Sequence, residues 1–462
     1  MEKNNLYIYF LSYQSFFTDL SNELANTNFN FEISGLATSP NSAFRKFDYK
    51  QISYLTDLNY KSKLADINYL LYIEKEYGIK ISEILHLERY SSKLSNNEKL
   101  YYVECFIKKI ENDYSSLNFN IILSGGLCDG ISFFLYHFSL KKRIKFIYHL
   151  PNRLGSDYYF SNHPHSGPIN FTEKYYAYIK LFDENRESFK DVFLKLNDYL
   201  SLKKQPDYIS DKKLLFKYFE FDDIKMTIKL ILSKTSFYGE SNFFKLLSSR
   251  YNKIKQKYIH DSLVSKNLEI DKLNYFVYPL QFHPESATIL LGKWFHNQLE
   301  IIKIISRVLP QNVYLIIKEH PICLGRRPNG FYKEATAFHN VKLIKHSEDI
   351  YNLISNSNGV ITISSTMGLE AILLNKPVIL FGDIHYGILS QVIKVENYKK
   401  IDKYIEEAMN FKKYDEVEYF SFFKSIMSET FCMPNFSPYN YNNDHLISFL
   451  NHFLTDINSN QN

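Results

Sequence analysis

Residues 361–371 read Ile-Thr-Ile-Ser-Ser-Thr-Met-Gly-Leu-Glu-Ala, and residues 376–379 read Lys-Pro-Val-Ile. The apolar residues before the hydroxyl groups predict a buried strand, and the residues after them predict a helix. The second apolar run predicts the next strand. A strand, a crossover helix and a second strand form the βαβ unit of a parallel sheet. This stretch therefore predicts an α/β fold.

The same alternation extends on both sides of this stretch. The predicted strands are Asn274–Leu280, Asn312–Lys318, Val341–Ile344, Gly359–Ser364 and Pro377–Phe381. The predicted helices are Lys293–Val308, Asp349–Ser355 and Met367–Leu374. Such a sheet has parallel strands, right-handed crossovers and a ligand site at the carboxyl ends of its strands. We therefore expect residues 266–413 to form a Rossmann-like, nucleotide-binding domain.

The first half of the chain also predicts an α/β domain. Its expected elements are a strand over Leu6–Tyr13, helices within 62–112, a strand over Phe119–Leu123, a helix over Ile131–Leu140 and a strand over Arg143–His149. Residues 152–168 have the composition of a long loop, and residues 172–260 predict inserted helices. The expected domains are 1–265 and 266–413, followed by a helical segment, 414–462, that packs back on the first domain.

The composition is that of a globular protein large enough for two domains. The chain has 462 residues, of which 45% are hydrophobic and 23% charged, and its net charge is +5. Apart from the lysines of 203–217 the basic residues are scattered, so no nucleic-acid partner is expected. No run reaches the roughly 18 apolar residues of a spanning helix, and the cysteine spacing fits neither zinc nor disulfides. We expect a cytoplasmic location.

Three hydroxyl side chains lie at the strand-to-helix junction: Ser364, Ser365 and Thr366. Such residues cap a helix, and together with the N–H groups and the dipole of the helix they also bind phosphate. Gly368 would let a ligand approach the backbone, and Glu370 would accept hydrogen bonds from ribose hydroxyls. The junction therefore predicts either a phosphate site or a capped helix with a surface glutamate.

A second candidate site is the motif Lys-Glu-His-Pro, residues 318–321, at the end of a predicted strand. His320 would donate a proton or a hydrogen bond to a leaving phosphate oxygen, because imidazole can act as an acid near neutral pH. Pro321 would stiffen the turn. Arg326 and Arg327 would pair with a phosphate or a carboxylate. The alternative is an ordinary turn that ends a strand, followed by solvated arginines.

The third candidate site is the first strand-to-helix loop of the C-terminal half. Residues 278–288 read Tyr-Pro-Leu-Gln-Phe-His-Pro-Glu-Ser-Ala-Thr. This loop places polar groups where a doubly wound domain binds its ligand. His283 and Glu285 are the candidates for contacts with a donor sugar or its base, and loop capping is the alternative.

Together these motifs resemble the bacterial capsular polysaccharide biosynthesis proteins that include Kdo transferases of capsule and lipopolysaccharide assembly. The resemblance covers about residues 275–390 and includes Ser-Ser-Thr, Gly-Leu-Glu-Ala and Lys-Pro-Val-Ile as well as Lys-Glu-His-Pro. Bacterial sialyltransferases show a related pair of motifs that binds CMP. The resemblance implies a GT-B-like fold, with two Rossmann-like domains, parallel sheets and additional helices. It also implies a glycosyltransferase with a CMP-linked donor, Kdo or another nonulosonate.

The resemblance also implies roles for single residues. His320 would assist the departure of CMP, and the three hydroxyl residues would hold its phosphate. A carboxylate would act as the base, and the candidates are Asp129, Asp157 and Glu285. Asp129 matches only one carboxylate of the acidic-acidic-Gly motif of the sialyltransferases. The implied substrate-binding residues are Ser364, Ser365, Thr366, Gly368, Glu370, Lys318, Glu319, Pro321, His283 and Arg326.

The sequence contains no Asp-x-Asp motif, which commonly binds the metal of diphosphate-sugar transferases. Hydroxyl groups, a helix N-terminus and one histidine can stabilise a departing monophosphate, so no metal and no cofactor are expected. The expected partners are a CMP-sugar donor and a glycan or glycolipid acceptor. Peripheral association with the inner membrane or with capsule assembly proteins stays open. The alternatives are a UDP- or GDP-sugar transferase, a nucleotide-sugar epimerase, or a non-catalytic capsule assembly or export protein.

Overall fold

The computed structural model describes residues 4–11, 13–40, 42–58, 63–88, 94–152, 154–155, 157–165, 167–201, 243–265, 268–434, 436–437 and 439–458. For residues 42, 201, 243–250 and 322 only the backbone is described. The chain divides into two compact units, of which unit 1 comprises residues 1–174 and 425–462 and unit 2 comprises residues 175–424. The lysine cluster of 203–217 lies outside the described residues.

Strands and helices alternate in both units. The described strands are β1 (Asn4–Tyr9), β2 (Phe31–Ala37), β3 (Gln51–Tyr54), β4 (Ile121–Ser124), β5 (Lys145–Pro151), β6 (Asp157–Ser161), β7 (Asn274–Pro279), β8 (Val313–Lys318), β9 (Val341–Ile344), β10 (Val360–Thr362), β11 (Val378–Leu380), β12 (Val392–Lys394) and β13 (Thr430–Cys432). The described helices are α1 (Gln14–Ala25), α2 (Ile67–Tyr77), α3 (Ile81–Leu87), α4 (Asn96–Leu117), α5 (Gly130–Lys142), α6 (Phe171–Glu184), α7 (Lys190–Ser201), α8 (Phe243–Leu263), α9 (Ser286–Ile289), α10 (Gln298–Val308), α11 (Phe331–Ala335), α12 (Ile350–Ser355), α13 (Thr366–Leu373), α14 (Ile401–Met409), α15 (Glu416–Met427) and α16 (Asn443–Asn458). Among these helices, none combines the length and the apolar character that a membrane crossing requires.

Unit 1 is built on a seven-stranded sheet with the order β13-β6-β5-β4-β1-β2-β3. The strands β1 to β5 pair in parallel, whereas β6 pairs antiparallel with both β5 and β13. Tyr7, Ile8 and Tyr9 of the central strand β1 are 0% exposed. This burial is typical of a parallel strand that is covered on both faces. The sheet that was expected to be parallel is therefore mixed at one edge.

Unit 2 contains a six-stranded sheet with the order β12-β11-β10-β7-β8-β9, and all its strand pairs are parallel. In the centre of the sheet Val277 lies opposite Ile316 on one side and Val360 on the other. All three side chains are fully buried. Such strands need apolar residues on both faces because helices cover both sides of the sheet.

Both sheets reverse their direction of growth at a central strand. In unit 1, β2 and β3 lie on one side of β1, and β4 and β5 lie on the other. In unit 2, β8 and β9 lie on one side of β7, and β10 to β12 lie on the other. Open α/β sheets bind their ligands at the carboxyl ends of the strands beside such a switch point. The predicted α/β fold with two Rossmann-like domains is confirmed.

Most predicted strands of unit 2 agree with the structure to within a few residues, and β9 agrees at both ends. The predicted helix Lys293–Val308 is wrong at its start, because α10 begins only at Gln298. The side chain of Asn297 accepts hydrogen bonds from two backbone N–H groups of the first turn. This cap fixes the helix start after a short 3₁₀ turn.

Two short strands of unit 1 lie in segments for which the sequence predicted something else. Residues 157–161, within the expected loop 152–168, form β6. Residues 430–432 form β13 within the segment 414–462, for which helices were expected. β6 pairs antiparallel with β5, the strand that precedes it in the chain. β13 then pairs with β6 from the other end of the chain, so no local pattern reveals β13.

The compact units divide at other residues than the expected domains. Residues 175–201 and 243–265 group with unit 2, although the sequence placed them in a first domain ending at residue 265. Residues 425–462 group with unit 1, where α16 packs against α1. Phe449 of α16 contacts Phe16 of α1 with ring centroids 5.2 Å apart.

The strands β1 and β2 approach so closely at Gly35 that a side chain has no room. A Cβ atom on Gly35 would lie 2.5 Å from the carbonyl oxygen of Ile8 and 2.5 Å from the ring of Phe10. We expect Gly35→Ala to lower the free energy of unfolding by about 1–3 kcal/mol, because a buried backbone must shift. Gly126→Ala is the matched control, since its Cβ would find no atom closer than 3.6 Å. Urea denaturation measures both variants, and equal losses would contradict this packing.

Candidate functional site

Three loops meet at the carboxyl edge of the unit 2 sheet, because β10, β7 and β8 are neighbours in that order. They follow β7 at residue 280, β8 at residue 319 and β10 at residue 363. A direct contact joins two of them, since the Ser364 hydroxyl donates a hydrogen bond to the Ala287 carbonyl. The three motifs that the sequence singled out therefore lie around one switch point.

The helix α13 begins at this edge with a polar N-terminus. Ser365 is its N-cap, and the Ser365 Oγ accepts a hydrogen bond from the Met367 N–H at 3.0 Å. The side chains of Ser365 and Thr366 are half-buried and remain accessible to solvent. The N-terminus of a helix carries a partial positive charge and attracts anions. The two hydroxyl groups are thus placed beside a position that favours an anionic group.

Two further residues of this motif serve the packing of the junction. Ser364 is only 3% exposed, and its hydroxyl is directed at the Ala287 carbonyl. A Cβ atom on Gly368 would lie 2.5 Å from the Tyr386 hydroxyl, which itself donates to the Ser365 carbonyl at 2.8 Å. The space beside Gly368, which the sequence analysis assigned to a ligand, is therefore taken by Tyr386.

Glu370 lies one turn into α13 and is 6% exposed, so it is not the surface glutamate of the alternative interpretation. The Tyr199 hydroxyl at the end of α7 donates a hydrogen bond to Glu370 Oε1 at 3.1 Å. The expected contact of Glu370 with a ribose stays a prediction. In the structure its carboxylate connects α13 to α7.

Glu319 lies at the end of β8 with 1% exposure and is held by four hydrogen bonds. Arg327 donates to both carboxylate oxygens at 2.8 Å, and the Tyr332 hydroxyl donates to Oε2 at 2.8 Å. The backbone N–H of His320 donates to Oε1 at 2.7 Å. These contacts order the His320 loop, and the predicted role of Glu319 in substrate binding stays a prediction.

Arg327, and not Arg326, is the arginine that pairs with a carboxylate. Arg327 is 8% exposed and binds Glu319 in the two-pronged geometry that favours guanidinium. Charge attraction and the hydrogen bonds to Glu319 raise the pKa of Arg327 against the opposing effect of burial. Arg326 is exposed, and its contact with an anionic ligand stays a prediction.

Gln281 connects the three loops, and the sequence analysis assigned it no role. Its side-chain carbonyl accepts hydrogen bonds from the backbone N–H groups of residues 363 and 364 at 3.1 and 3.2 Å. Its backbone carbonyl accepts a hydrogen bond from Arg327 Nη2 at 2.8 Å. The only signal in the sequence is its position within the motif 278–288, just after the strand β7. Gln281 thereby sets the positions of the loops after β8 and β10.

His320 and Lys318 differ in their burial at this edge. His320 is half-buried, and burial lowers the pKa of its imidazole below the usual 6.5. Lys318 is 6% exposed, and its ammonium group donates to the His346 carbonyl at 2.6 Å. Burial lowers the pKa of Lys318 to about 8. The buried Pro321 begins a short 3₁₀ turn behind His320.

The loop after β7 exposes His283 and leaves Glu285 half-buried. The His283 Nδ1 lies 3.1 Å from the hydroxyl of the buried Thr288, and the backbone N–H of Glu285 donates to the same hydroxyl at 3.3 Å. Thr288 therefore shapes this loop. Because Ala287 accepts the hydrogen bond of Ser364, the loop lies directly beside the start of α13.

The two remaining predicted carboxylates, Asp129 and Asp157, belong to unit 1. Asp129 is 2% exposed and caps α5, since its Oδ1 accepts hydrogen bonds from the N–H and the hydroxyl of Ser132. Its Oδ2 accepts a hydrogen bond from the Tyr9 hydroxyl at 2.8 Å. Asp157 is half-buried at the start of β6, opposite Cys432. Asp129 thus has a clear structural function as a helix cap.

A cavity of about 570 Å³ also lies in unit 1, between the segment after β2 and the strand β3. Its lining is largely aromatic and contains none of the predicted site residues. The lining residues are Pro40, Phe44, Arg45, Phe47, Asp48, Tyr49, Ile52 and Tyr54.

The fold and the site define a two-domain α/β protein with a polar helix N-terminus at the switch point of its second sheet. Residues 223–402 match the family model described as "Capsule polysaccharide biosynthesis protein", and this segment contains all three loops. The match covers less than half of the chain, and it confirms the resemblance recognised from the motifs.

Known relatives align with shorter parts of the chain. Protein FixF of Sinorhizobium fredii is 32% identical over 122 residues, or 25% of this chain and 28% of the relative. The capsule polysaccharide modification protein LipB of Neisseria meningitidis is 26% identical over 140 residues, or 28% of this chain and 33% of the relative. The alignments thus span about a third or less of these relatives. The solved structure of Thermosulfurimonas dismutans KpsC, described as a beta Kdo 2,7 transferase, is 12% identical and aligns over 74% of this chain and 89% of that one, with a TM-score of 0.34.

The neighbouring arginines 326 and 327 allow a matched test of the buried ion pair. We expect Arg327→Ala to lower the free energy of unfolding by about 3–5 kcal/mol, because it leaves the Glu319 carboxylate buried without its partner. Arg326→Ala should change stability by less than about 0.5 kcal/mol, since that side chain is exposed. Chemical denaturation measures both variants. Similar stabilities for the two would show that the pair does not hold this edge together.

Proposed function

We propose that the protein is a glycosyltransferase of bacterial surface polysaccharide biosynthesis that acts in the cytoplasm. It transfers Kdo or another nonulosonate from a CMP-linked donor to a glycan or glycolipid acceptor. The observation that carries this proposal is the N-terminus of α13, which lies at the switch point of unit 2 beside the loop of β7. The family match of residues 223–402 supports a role in capsule polysaccharide biosynthesis.

The reaction breaks the bond between the anomeric carbon and a phosphate oxygen, and CMP leaves with the bonding electrons. Ser365, Thr366 and the dipole of α13 stabilise the negative charge of that phosphate. His320 donates a hydrogen bond or a proton to the departing oxygen. The acceptor hydroxyl forms the new bond to the anomeric carbon and passes its proton to a carboxylate. Arg326 adds positive charge at the same edge.

Glu285 is the carboxylate that the contacts favour as this base. It lies in the loop that receives the hydrogen bond of Ser364, within the same unit as the phosphate site. Asp129 already accepts three hydrogen bonds from Tyr9 and Ser132, which stabilise its carboxylate as a helix cap. Asp157 remains the candidate from unit 1.

Two substitutions at Ser365 distinguish its role as the N-cap of α13 from a role in phosphate binding. Ser365→Ala removes the cap and should cost about 0.5–2 kcal/mol of stability even without a ligand. Ser365→Asp keeps a good cap but places a negative charge against the donor phosphate. We expect CMP, with EDTA present, to raise the thermal midpoint of the wild-type protein because a ligand of the folded state stabilises it. This shift should vanish in Ser365→Asp, although the variant stays as stable as the wild type.

UDP, GDP and ADP are the comparison ligands in the same thermal-shift experiment. A full CMP shift in Ser365→Asp would place the phosphate elsewhere and overturn the site. A shift with UDP or GDP instead of CMP would keep the fold and replace the donor, as a UDP- or GDP-sugar transferase or an epimerase requires. The absence of any shift would favour a non-catalytic role in capsule assembly or export.

The affinity for CMP should depend on pH through His320. Burial places the pKa of His320 below 6.5 in the free protein, and a bound phosphate should raise it. Binding then takes up a proton, so the affinity is highest below the free pKa and falls as pH rises through the bound pKa. Titration calorimetry between about pH 5.5 and 8 measures this trend.

The control for this pH dependence is His320→Gln. Both proteins share the titration of the nucleotide phosphate itself, so only the difference between their pH profiles reports on residue 320. As pH rises, we expect the CMP affinity of the wild type to fall relative to that of His320→Gln. Identical profiles would remove His320 from the phosphate contact.

A further inference from the structure

Two buried histidines and one carboxylate come together in unit 2, away from the α13 junction. His260 and Asp261 lie near the end of α8, and His346 follows β9. The three side chains each offer one ligand atom, and these atoms lie within 4.8 Å of one another. His260 is 0% exposed and His346 is 4% exposed. Residues of these types at this spacing are typical metal ligands.

The ring of His260 gives a second, independent indication. Its Nδ1 lies 2.9 Å from Asp261 Oδ1. Its Nε2 is buried and makes no hydrogen bond to any residue in the described part of the chain. An unsatisfied buried polar atom costs about 1–3 kcal/mol. A buried histidine with an unsatisfied Nε2 therefore destabilises the fold, whereas an ion bound to this nitrogen would remove that cost.

We propose that His260, Asp261 and His346 bind one divalent transition-metal ion of the zinc, cobalt or nickel class. Imidazole and carboxylate ligands suit these ions. In a tetrahedral site with bonds of about 2.0–2.1 Å the ligand atoms lie about 3.4 Å apart. Rotation of the Asp261 side chain can bring its carboxylate closer to the two histidines, because Asp261 is 50% exposed.

The ion connects α8, through His260 and Asp261, to the segment after β9, through His346. The end of α8 is already aligned with β9, since the Ser265 N–H donates to the Leu343 carbonyl at 2.8 Å. The His260 ring also packs against Tyr332 with centroids 5.1 Å apart, and Tyr332 donates to Glu319. The metal site thus lies one side chain from the buried pair that orders the His320 loop. Its role is structural, and it does not depend on the proposed sugar transfer.

Cobalt provides a direct test with the purified full chain after removal of metals by a chelator. We expect saturable visible d–d absorption with one Co²⁺ per chain, displaced by Zn²⁺. We also expect either ion to raise the thermal midpoint, because it binds only the folded state. Asp261→Asn should weaken binding by about 10- to 100-fold. His346→Gln should abolish the cobalt spectrum.

The controls distinguish loss of the site from loss of the fold. Asp261 is half exposed, so Asp261→Asn should keep the thermal midpoint of the metal-free wild type, and it decides the test if His346→Gln does not fold. His296→Gln is the matched histidine control, because His296 and His283 form another pair with ring centroids 6.1 Å apart. It should bind cobalt like the wild type. Absence of saturable cobalt absorption in the wild type, or equal affinity in Asp261→Asn, would overturn the metal site.

Discussion

Burial of the Glu319 carboxylate is the constraint on which the arrangement of the unit 2 edge depends. A buried charge is tolerated only when a partner and hydrogen bonds compensate its lost hydration. Arg327 satisfies Glu319 and also donates to the Gln281 carbonyl. The Gln281 side chain then accepts hydrogen bonds from the backbone that leads into α13. One ion pair therefore positions the loops of β7, β8 and β10 relative to one another.

At this edge, different residues hold the backbone in place and offer polar side chains to a ligand. The most polar buried residues, Glu319, Arg327 and Gln281, bind one another and hold the backbone. The side chains that stay accessible at the same edge are Ser365, Thr366, His320 and Arg326, which are hydroxyl, imidazole and guanidinium groups. When the surrounding backbone is rigid, a helix N-terminus and a few hydrogen-bond donors can bind an anion without a change of their positions. The site fits a phosphate held by hydroxyl groups and a helix dipole.

The parallel core of unit 2 could be predicted from the sequence because short, mostly apolar strands alternate with helical segments along the chain. Both ends of the strand Val341–Ile344 were predicted correctly. The strand at 430–432 could not be predicted, because it is formed by pairing with β6 in the first half of the chain. The strand at 157–161 pairs with its neighbour β5 and lies in a segment whose composition is that of a loop. The order of the strands, which places β10 next to β7, is likewise a long-range property.

The positions of the site motifs could be predicted from the sequence, but the contacts of their single side chains could not. The resemblance implied that Glu319 contacts a substrate. The sequence could not show that Arg327 folds back onto it, or that Tyr386 packs against Gly368. Gln281 was missed because the backbone N–H groups that donate to its side chain lie more than 80 positions along the chain. Such roles follow from tertiary contacts, which local patterns do not encode.

Hydrogen–deuterium exchange of the full chain with and without CMP shows whether the edge of unit 2 binds a phosphate. If the edge of unit 2 is a phosphate site held by the Glu319 pair, CMP should slow exchange of the amides in residues 363–369, with weaker protection in 281–288 and 319–323. The rest of unit 2 should change little. Protection that appears only outside these segments, or unchanged exchange at the start of α13 under saturating CMP, would contradict the account.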